Sequence, residues 1–366
     1  MTLERILVVN VGSSSFKWSA LDPDGGQLGG ASETWTPSLE AAAAQVERAL
    51  RATGRPSAIG HRIVHGGPDF TGPVRLDGTV RARLEGLRVL AARHMASALA
   101  CIDACTRLLP DVPQVCAFDT SFHASLPEEA WTYAVPAPWR EALALRRYGF
   151  HGLSVAWSVR RTQELLGALP PRLVVCHLGS GCSVTAVGEG RSADNSMGYT
   201  PLDGVVMATR AGQLDPGAVL AIAEHLGTGR AEVERRLESE CGLLALAGTP
   251  DLREVLQRRE RGDPVATLAY RVYLHALLRA IGSAAAVLGG LDVLVFTGGA
   301  GERSGPLRAD LCASLAFLGV ALDSAHNRAP GEQDVDLAQS GAPVRVLRIE
   351  AREDLEILAA VRQLVN

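Results

Sequence analysis

The sequence predicts an α/β protein built from a duplicated pair of domains, and three observations carry that expectation. The chain has 366 residues, which favours two domains over one. Short apolar strands alternate with helical patterns along it, the order that packs helices against sheets. A strand–glycine turn–strand unit occurs twice, as ILVVNVGSSS at 6–15 and LVVCHLGSGC at 173–182. In both copies an apolar strand meets a polar residue, Asn10 or His177, then an apolar residue, then Gly-Ser. A second strand and another glycine turn follow, Phe16 to Gly25 and Ser183 to Gly188.

The elements follow in order. Residues 6–9 read as a buried strand, and 37–52 as an alanine-rich helix ended by Gly54 and Pro56. A short strand at 63–64 precedes Gly66-Gly67, and 80–108 has mostly helical apolar spacing. Strands are expected at 112–118 and 173–176. Asp215-Pro216 and Asp263-Pro264 each open a helix, with aspartate as cap and proline in the first turn; the second runs to about Leu288. A buried strand at 291–296 and a helix at 352–365 complete the chain.

Composition excludes several classes. Hydrophobic residues make up 47% and charged residues 21%, enough to form a core and too apolar for a disordered chain. Asp plus Glu number 40 against 36 Lys plus Arg, so the net charge is −4 and the basic surplus of a nucleic-acid or anionic-membrane binder is absent. The most apolar stretch, 280–296, is broken by Gly282, Gly289, Gly290 and Asp292, and reads as helix, turn and strand instead of a bilayer span. Met1 leads straight into a strand, with no signal-peptide pattern. The seven cysteines include no CxxC pair; Cys101 and Cys105 share a helix face and read as small buried hydrophobes. A soluble cytoplasmic protein is expected.

The glycine turns point to phosphate. Small residues let backbone N–H groups converge on an anion, and two facing turns would hold a polyphosphate from both sides. GSSS alone is equally a plain hairpin turn. Lys17 shifts the balance: it is the one lysine among 36 basic residues and lies just after the first turn, where an ammonium can meet phosphate oxygens. A third turn, VLVFTGGAGERS at 293–304, joins a strand to a helix through Gly298, Gly299 and Gly301. It is not GxGxxG, and no GxxxxGK[ST] is present, so Rossmann and P-loop sites fit poorly.

Four polar clusters remain. GHRIVHGG (60–67) carries Arg62, FDTSFH (118–123) Asp119, RRYGFHG (146–152) His151 and MATRAGQLDPG (207–217) Arg210. Arginine forks suit carboxylate and phosphate, histidine can stabilise a transferring charged group, and aspartate can orient a nucleophile. His61, His65, His123 and His177 are as well placed as His151, so these residues alone reach a two-domain enzyme handling a phosphate compound and do not rank the histidines.

Taken together the motifs resemble the acetate kinase family, the acetate and propionate kinases. The resemblance runs in order through NVGSSSFK, GHRIVHGG, FDTSFH, RRYGFHG, HLGSG, DNSMGYTPLDG, TRAGQLDP, FTGGAGE and AREDLEILA. It implies the duplicated fold shared by actin, sugar kinases and heat-shock ATPases, with two domains around a central cleft. The first would span 1–148 plus 352–366 on the carboxylate side, and the second 149–351 on the nucleotide side. It also implies a cytoplasmic homodimer that uses ATP/ADP and Mg2+ and has a small carboxylate as partner.

By matching motif, Asn10 and Glu353 would help hold magnesium. Lys17, Gly12 and Ser13 would meet nucleotide phosphates, with His177, Leu178, Gly179, Ser180 and Gly181. Asp251, Leu252 and Arg253 would contact nucleotide, as would Gly299, Ala300, Gly301, Glu302 and Arg303. Arg62 and Arg210 would bind the carboxylate and the phosphoryl group in flight, and His151 would stabilise the transition state. Asp119 would be the catalytic acidic residue, and Val64, Phe150 and Pro201 the pocket for the acyl methyl. The implied reaction converts ATP and a short carboxylate reversibly to ADP and an acyl phosphate. Since the carboxylate is already an anion, Asp119 is expected to position groups or metal more than to abstract a proton.

The chain departs from the family pattern in places. It is shorter between Lys17 and Gly60, and ARHMASA (92–98) stands where the family has a PLHNPPN-like stretch, so Arg93 and Met95 replace leucine and asparagine. Leu153 and Val155 replace threonine and histidine, and Ser180, Arg303 and Arg352 each replace asparagine. Arg93, if it lines the acyl pocket, would favour a polar acid or a second carboxylate. Two other readings are a kinase of the same fold with another acceptor and a nucleotide-binding regulator whose catalysis has lapsed. The first is disfavoured by the paired arginines and the apolar pocket, the second by Arg62, Asp119, His151 and Arg210.

Overall fold

The structure is a computed structural model that describes residues 3–12, 15–329, 331 and 334–365. The chain divides into two compact units: residues 1–124, 150–157 and 352–366, and residues 125–149 and 158–351.

Each unit is organised around one mixed sheet. In the first, β1 (Ile6–Val11), β2 (Ser15–Leu21), β3 (Gln27–Thr34), β4 (Ala58–Ile63), β5 (Val74–Arg75) and β6 (Gln114–Phe118) lie in the order β3-β2-β1-β4-β6-β5. In the second, β7 (Arg172–Leu178), β8 (Cys182–Gly188), β9 (Arg191–Asn195), β10 (Val293–Thr297), β11 (Val335–Asp336) and β12 (Arg345–Arg348) read β9-β8-β7-β10-β12-β11 from the corresponding edge. Strand directions match as well. An antiparallel hairpin and third strand (β1–β3, β7–β9) are followed by two parallel partners (β4 and β6, β10 and β12) and an antiparallel edge. The repeat read from two ten-residue motifs therefore extends through both sheets.

Side-chain alternation builds the layers of the first unit. Leu7, Val9 and Val11 of β1 join one buried cluster with Ala42, Val46 and Ala49 of the helix Leu39–Thr53 and Cys101, Ile102 and Cys105 of the helix Ala92–Leu108. Ile6 and Val8 join the other, with Ile357, Leu358 and Val361 of the helix Glu353–Val365. That last helix lies close on β4: a Cβ on Gly60 would stand 2.3 Å from Ile357 Cγ2. A central strand covered on both faces reads as a continuous apolar run, which is why β1 was visible in the sequence. In the second unit the helix Pro264–Val287 packs on β7, β8 and β9. Its N-cap Asp263 accepts from the N–H groups of Val265 and Ala266, and Asp215 caps the helix Pro216–Leu226 through Gly217 and Ala218.

Some expectations shift. The helical stretch at 80–108 is two helices, Gly78–Gly86 and Ala92–Leu108, separated by the 3-10 turn Leu87–Val89. The strand placed at 63–64 is the end of β4. Residues 125–148, expected with the first domain, group with the second unit. The Arg147 guanidinium donates to the carbonyls of Asn195 (3.1 Å) and Met197 (2.9 Å), Tyr148 N–H donates to Gly198 O, and Thr132 bridges Arg146. Residues 150–157 group with the first unit, where Gly152 N–H meets Asp119 O and His123 meets Phe150 O. No helix among the described residues is long and apolar enough to cross a membrane. The seven cysteines are free thiols, six of them buried.

Candidate active site

In the first unit the parallel strands β1, β4 and β6 end side by side and bring distant residues together at their carboxyl ends. Val9 pairs with His61, and Arg62 with Ala117, so Asn10, Arg62 and Asp119 follow one another across the sheet. Arg62 grips Asp119 with both arms, Nε to Oδ1 at 2.9 Å and Nη2 to Oδ2 at 2.5 Å. Its Nη1 donates to Asn10 Oδ1 at 3.1 Å, and Asn10 Nδ2 donates to Glu353 Oε2 at 2.6 Å. Glu353 opens the C-terminal helix and lies 3.9 Å from Arg62 Nε. Burial pushes the Asp119 carboxyl up to about 6; Arg62 pulls it down and Glu353 pushes it further up. The pair is ionic at neutral pH. Burial opposes the charge of Arg62, but Asp119 and Glu353 outweigh it and hold the guanidinium protonated.

Lys17 stands opposite Asn10 in the β1–β2 ladder, exposed, so its ammonium is free to move on the same face as the network. Below it the turn is closed by Gly12 N–H to Ser15 O at 2.8 Å. Ser13 lies outside the described residues.

The end of the RRYGFHG segment, residues 150–152, runs against the end of β6. His151 has φ of 59°, the left-handed region that a non-glycine residue seldom occupies. Phe150 and Val64 are buried, and the Phe150 ring meets His65 edge to face at 5.3 Å. The histidines that sequence left level now separate. His61 donates Nε2–H to Gln114 Oε1 and His123 to Phe150 O, and burial lowers each to about 4, so both are neutral. His65 Nδ1 accepts from Gly67 N–H. His151 is the one of this set in a strained backbone conformation.

In the second unit His177–Gly181 forms the β7–β8 turn, the counterpart of Asn10–Lys17, with Gly179 N–H to Gly181 O at 2.9 Å. Thr297 of β10 pairs with His177, which sets the short helix Gly298–Arg303 beside it. Gly298, with φ of 76°, leaves no room for a side chain: a Cβ would lie 3.0 Å from the Leu178 backbone. Ala208 N–H donates to Ser180 O, tying the Arg210 loop to the same turn. Arg210 donates to Pro201 O at 3.4 Å and lies 3.9 Å from Glu238 Oε1. Asp251 caps the helix Leu252–Glu260, and the Arg253 guanidinium bonds that same carboxylate, so the two are paired with each other. Arg303 turns back to Gly299 O.

Two residues were missed from the sequence. Arg308, 1% exposed, donates to the carbonyls of Gly301 (2.7 Å) and Glu302 (2.8 Å) and to Asn327 Oδ1 (2.8 Å), fixing the third glycine turn from beneath. Its position beside the buried Leu307, Leu311 and Cys312 was the available signal. Glu238, the acid beside Arg210, had none.

The structure thus gathers Asn10, Arg62, Asp119 and Glu353 into one bonded network in the first unit, with Lys17, Val64, Phe150 and His151 in the same unit. The glycine segments 177–181 and 298–303, Asp251–Arg253, Pro201 and Arg210 belong to the second.

Comparison with known proteins shows the family to which the chain is similar. The sequence model of the Acetokinase family matches residues 36–359. The acetate kinase of Streptomyces avermitilis is 38% identical over 399 aligned positions, covering 100% of this chain and 98% of the relative. Among solved structures, a propionate kinase from Francisella tularensis superposes with a TM-score of 0.91 at 31% identity, and the acetate kinase of Porphyromonas gingivalis with 0.89 at 30%. Each covers 99% of this chain and 100% of the other. The fold is the duplicated actin-like one. The chain belongs to the Acetokinase family and is a phosphotransferase with a carboxyl group as acceptor.

Proposed function

We propose that the protein transfers the γ-phosphoryl group of ATP reversibly to acetate or propionate, giving ADP and the acyl phosphate. The observation that carries this reading is the Arg62 network. Two arms of the guanidinium are locked by Asp119 and one N–H by Asn10, so of its five donors one on each terminal nitrogen is left to face an acid anion. Val64 and Phe150 are buried apolar residues of the same unit and suit a one- or two-carbon tail. Arg93 is exposed.

The chemistry asks for charge control, because nucleophile and target are both anions. Arg62 orients the carboxylate, and Asp119 acts by fixing Arg62. Arg210 and His151 meet the charge spread over the phosphoryl oxygens in flight. Lys17 and the backbone N–H groups of the glycine turns hold the polyphosphate. Asn10 and Glu353 offer hard oxygen donors, a set that fits Mg2+, which keeps its waters and phosphate oxygens and takes few protein ligands. When bound, magnesium supplies positive charge to the polyphosphate.

The same reading makes the chain a homodimer. The helix Pro216–Leu226 carries Val219, Leu220, Ile222 and Leu226 yet has no buried residue, and Val265, Leu268 and Val272 of the helix Pro264–Val287 are exposed. A cavity of 1160 Å³ opens beside the helix Pro264–Val287, with Val205, Leu268 and Val272 in its lining. Apolar faces of this kind are covered by a partner, and a second copy is the occupant that family membership supports.

Trapping acyl phosphate with hydroxylamine tests the activity, using ATP, Mg2+ and a panel of acids. Acetate and propionate should give the highest turnover. Hydroxy- or dicarboxylates outperforming both would overturn the substrate assignment, and no product with any acid while ATP still binds would overturn the activity.

A further inference from the structure

The second unit holds a cavity of 520 Å³ with a basic wall. Arg303, Arg308, Arg328 and Arg348 line it, and Glu302 is the one acid in the lining. One oxygen of the Glu302 carboxylate is engaged by Ala351 N–H at 3.0 Å. Arg303 and Arg328 are exposed, and Arg328 ends the short helix Ser324–Arg328. Arg348 Nη1 donates to Gly331 O at 3.0 Å.

Arg308 is 1% exposed, yet each of its partners is neutral. Nε donates to Asn327 Oδ1, Nη1 to the carbonyls of Gly301 and Glu302, and Nη2 to Asn327 O at 3.3 Å. Four of its five N–H groups are used in this way, which leaves one on Nη2. Burial, and then the repulsion of Arg348, lower its pKa to about 10. At neutral pH it is still a cation, so the fold keeps a buried positive charge that dipoles solvate and no carboxylate balances. Buried charge of that kind is costly, and an anion in the cavity would offset it.

The start of the helix Gly305–Ser314 meets the same space. Gly305 and Pro306 line the cavity, and a Cβ on Gly305 would stand 3.8 Å from Arg308 Nη2. The first N–H groups of a helix have no acceptor within it and attract negative charge. The sheet order places β10 between β7 and β12, and Arg348 ends β12. Arg348 therefore approaches from the far side of β10 relative to the turn His177–Gly181.

We propose that this cavity binds the phosphate group of a small molecule, either inorganic phosphate or a phosphomonoester, at a site apart from the reaction. Arg308 and Arg348 supply charge, and Arg328 reaches the phosphate oxygens from the exposed edge. Guanidinium groups beside a helix start suit phosphate better than a monocarboxylate, because a dianion offsets more of the charge gathered here. The volume leaves room for a small organic group beside the phosphate.

The test is calorimetry of the full chain with inorganic phosphate, glycerol 3-phosphate and glycerol. The two phosphates should bind and glycerol should not. Tighter binding of glycerol 3-phosphate identifies a monoester as the source, and tighter binding of inorganic phosphate the free ion. Arg328→Gln, at an exposed position, should weaken phosphate binding about tenfold, and Arg328→Glu should weaken it further. Both variants should keep kcat and the acid KM within about twofold of the parent. Arg210→Gln should retain the phosphate affinity of the parent. Absence of phosphate binding, an affinity unmoved by Arg328→Glu, or binding lost in Arg210→Gln overturns the inference, the last by placing the anion at the reaction site. The readout is binding without turnover, so an enzyme inactive on every acid would overturn the proposed activity and leave this inference standing.

Discussion

The backbone N–H of Gly152 donates to the carbonyl of Asp119 at 2.7 Å, and a Cβ at residue 152 would stand 2.2 Å from that oxygen. The helix Gly152–Leu166 therefore begins on the residue that grips Arg62. His151, one residue earlier, takes its left-handed conformation in the same approach. Position, strain and charge are coupled through one glycine.

Gly152→Ala should then damage site and fold together. Backbone cannot yield as a flexible side chain can, so a loss of about 1–3 kcal/mol is expected, with kcat down more than about tenfold as His151 and Asp119 move apart. Denaturant titration and steady-state kinetics check both; an active, stable variant would remove the coupling.

The pH profile should report Asp119. Its carboxyl titrates at about 6, raised by burial. A raised value favours the protonated form in the folded chain, so the stability that this group contributes is full below the ordinary carboxylate range and is lost as pH climbs through about 6. Activity runs the other way, because the grip on Arg62 needs the carboxylate. kcat/KM should fall about tenfold per unit below pH 6. Asp119→Asn should be slow at every pH, since an amide N–H₂ would face the Arg62 fork. A variant with a near-normal plateau would show that the charge of Asp119, and with it the ionic grip on Arg62, is not needed for turnover.

Glu353→Gln should raise the Mg2+ concentration for half-maximal rate by about tenfold or more. It also removes the charge from the acceptor of the Asn10 amide, which donates to Glu353. Calorimetry of ADP binding with and without Mg2+ gives a readout apart from turnover: the variant should lose the metal-dependent gain and keep the metal-free affinity.

Arg308→Met should loosen the third glycine turn. The carbonyls of Gly301 and Glu302 and the Asn327 amide oxygen would lose their donor in a buried place, at about 2–4 kcal/mol in all. The nucleotide KM should rise more than the acid KM. Equal rises in both would argue that the turn does not depend on Arg308.

Leu268→Glu combined with Leu220→Glu should give monomers by sedimentation if the exposed faces pair two copies. These residues are 59% and 72% exposed, so folding should survive the change. A dimer that persists would place the contact elsewhere.

What could be read from the chain and what could not divide along physical lines. β1, β7 and β10 are buried on both faces and therefore stand out as apolar runs, while Asp215 and Asp263 signal helix starts because capping is local chemistry. β3, β5, β9 and β11 escaped notice, being exposed, very short or at sheet edges. The grouping of 125–149 with the second unit depends on contacts with remote backbone, which no local pattern encodes.

The sequence by itself determined the duplicated α/β plan, the glycine turns and the order of motifs that marks the family, because periodicity and small-residue turns act over a few neighbouring residues. Only the tertiary structure decided that Arg62 is locked by an aspartate 57 residues away and that Asn10 bonds a glutamate 343 residues away. It also decided that His151, and not its neighbours, carries strain, and that Glu238 stands beside Arg210. Charges act through space, and the distances between them exist only once parallel strands and returning helices have brought far parts of the chain together.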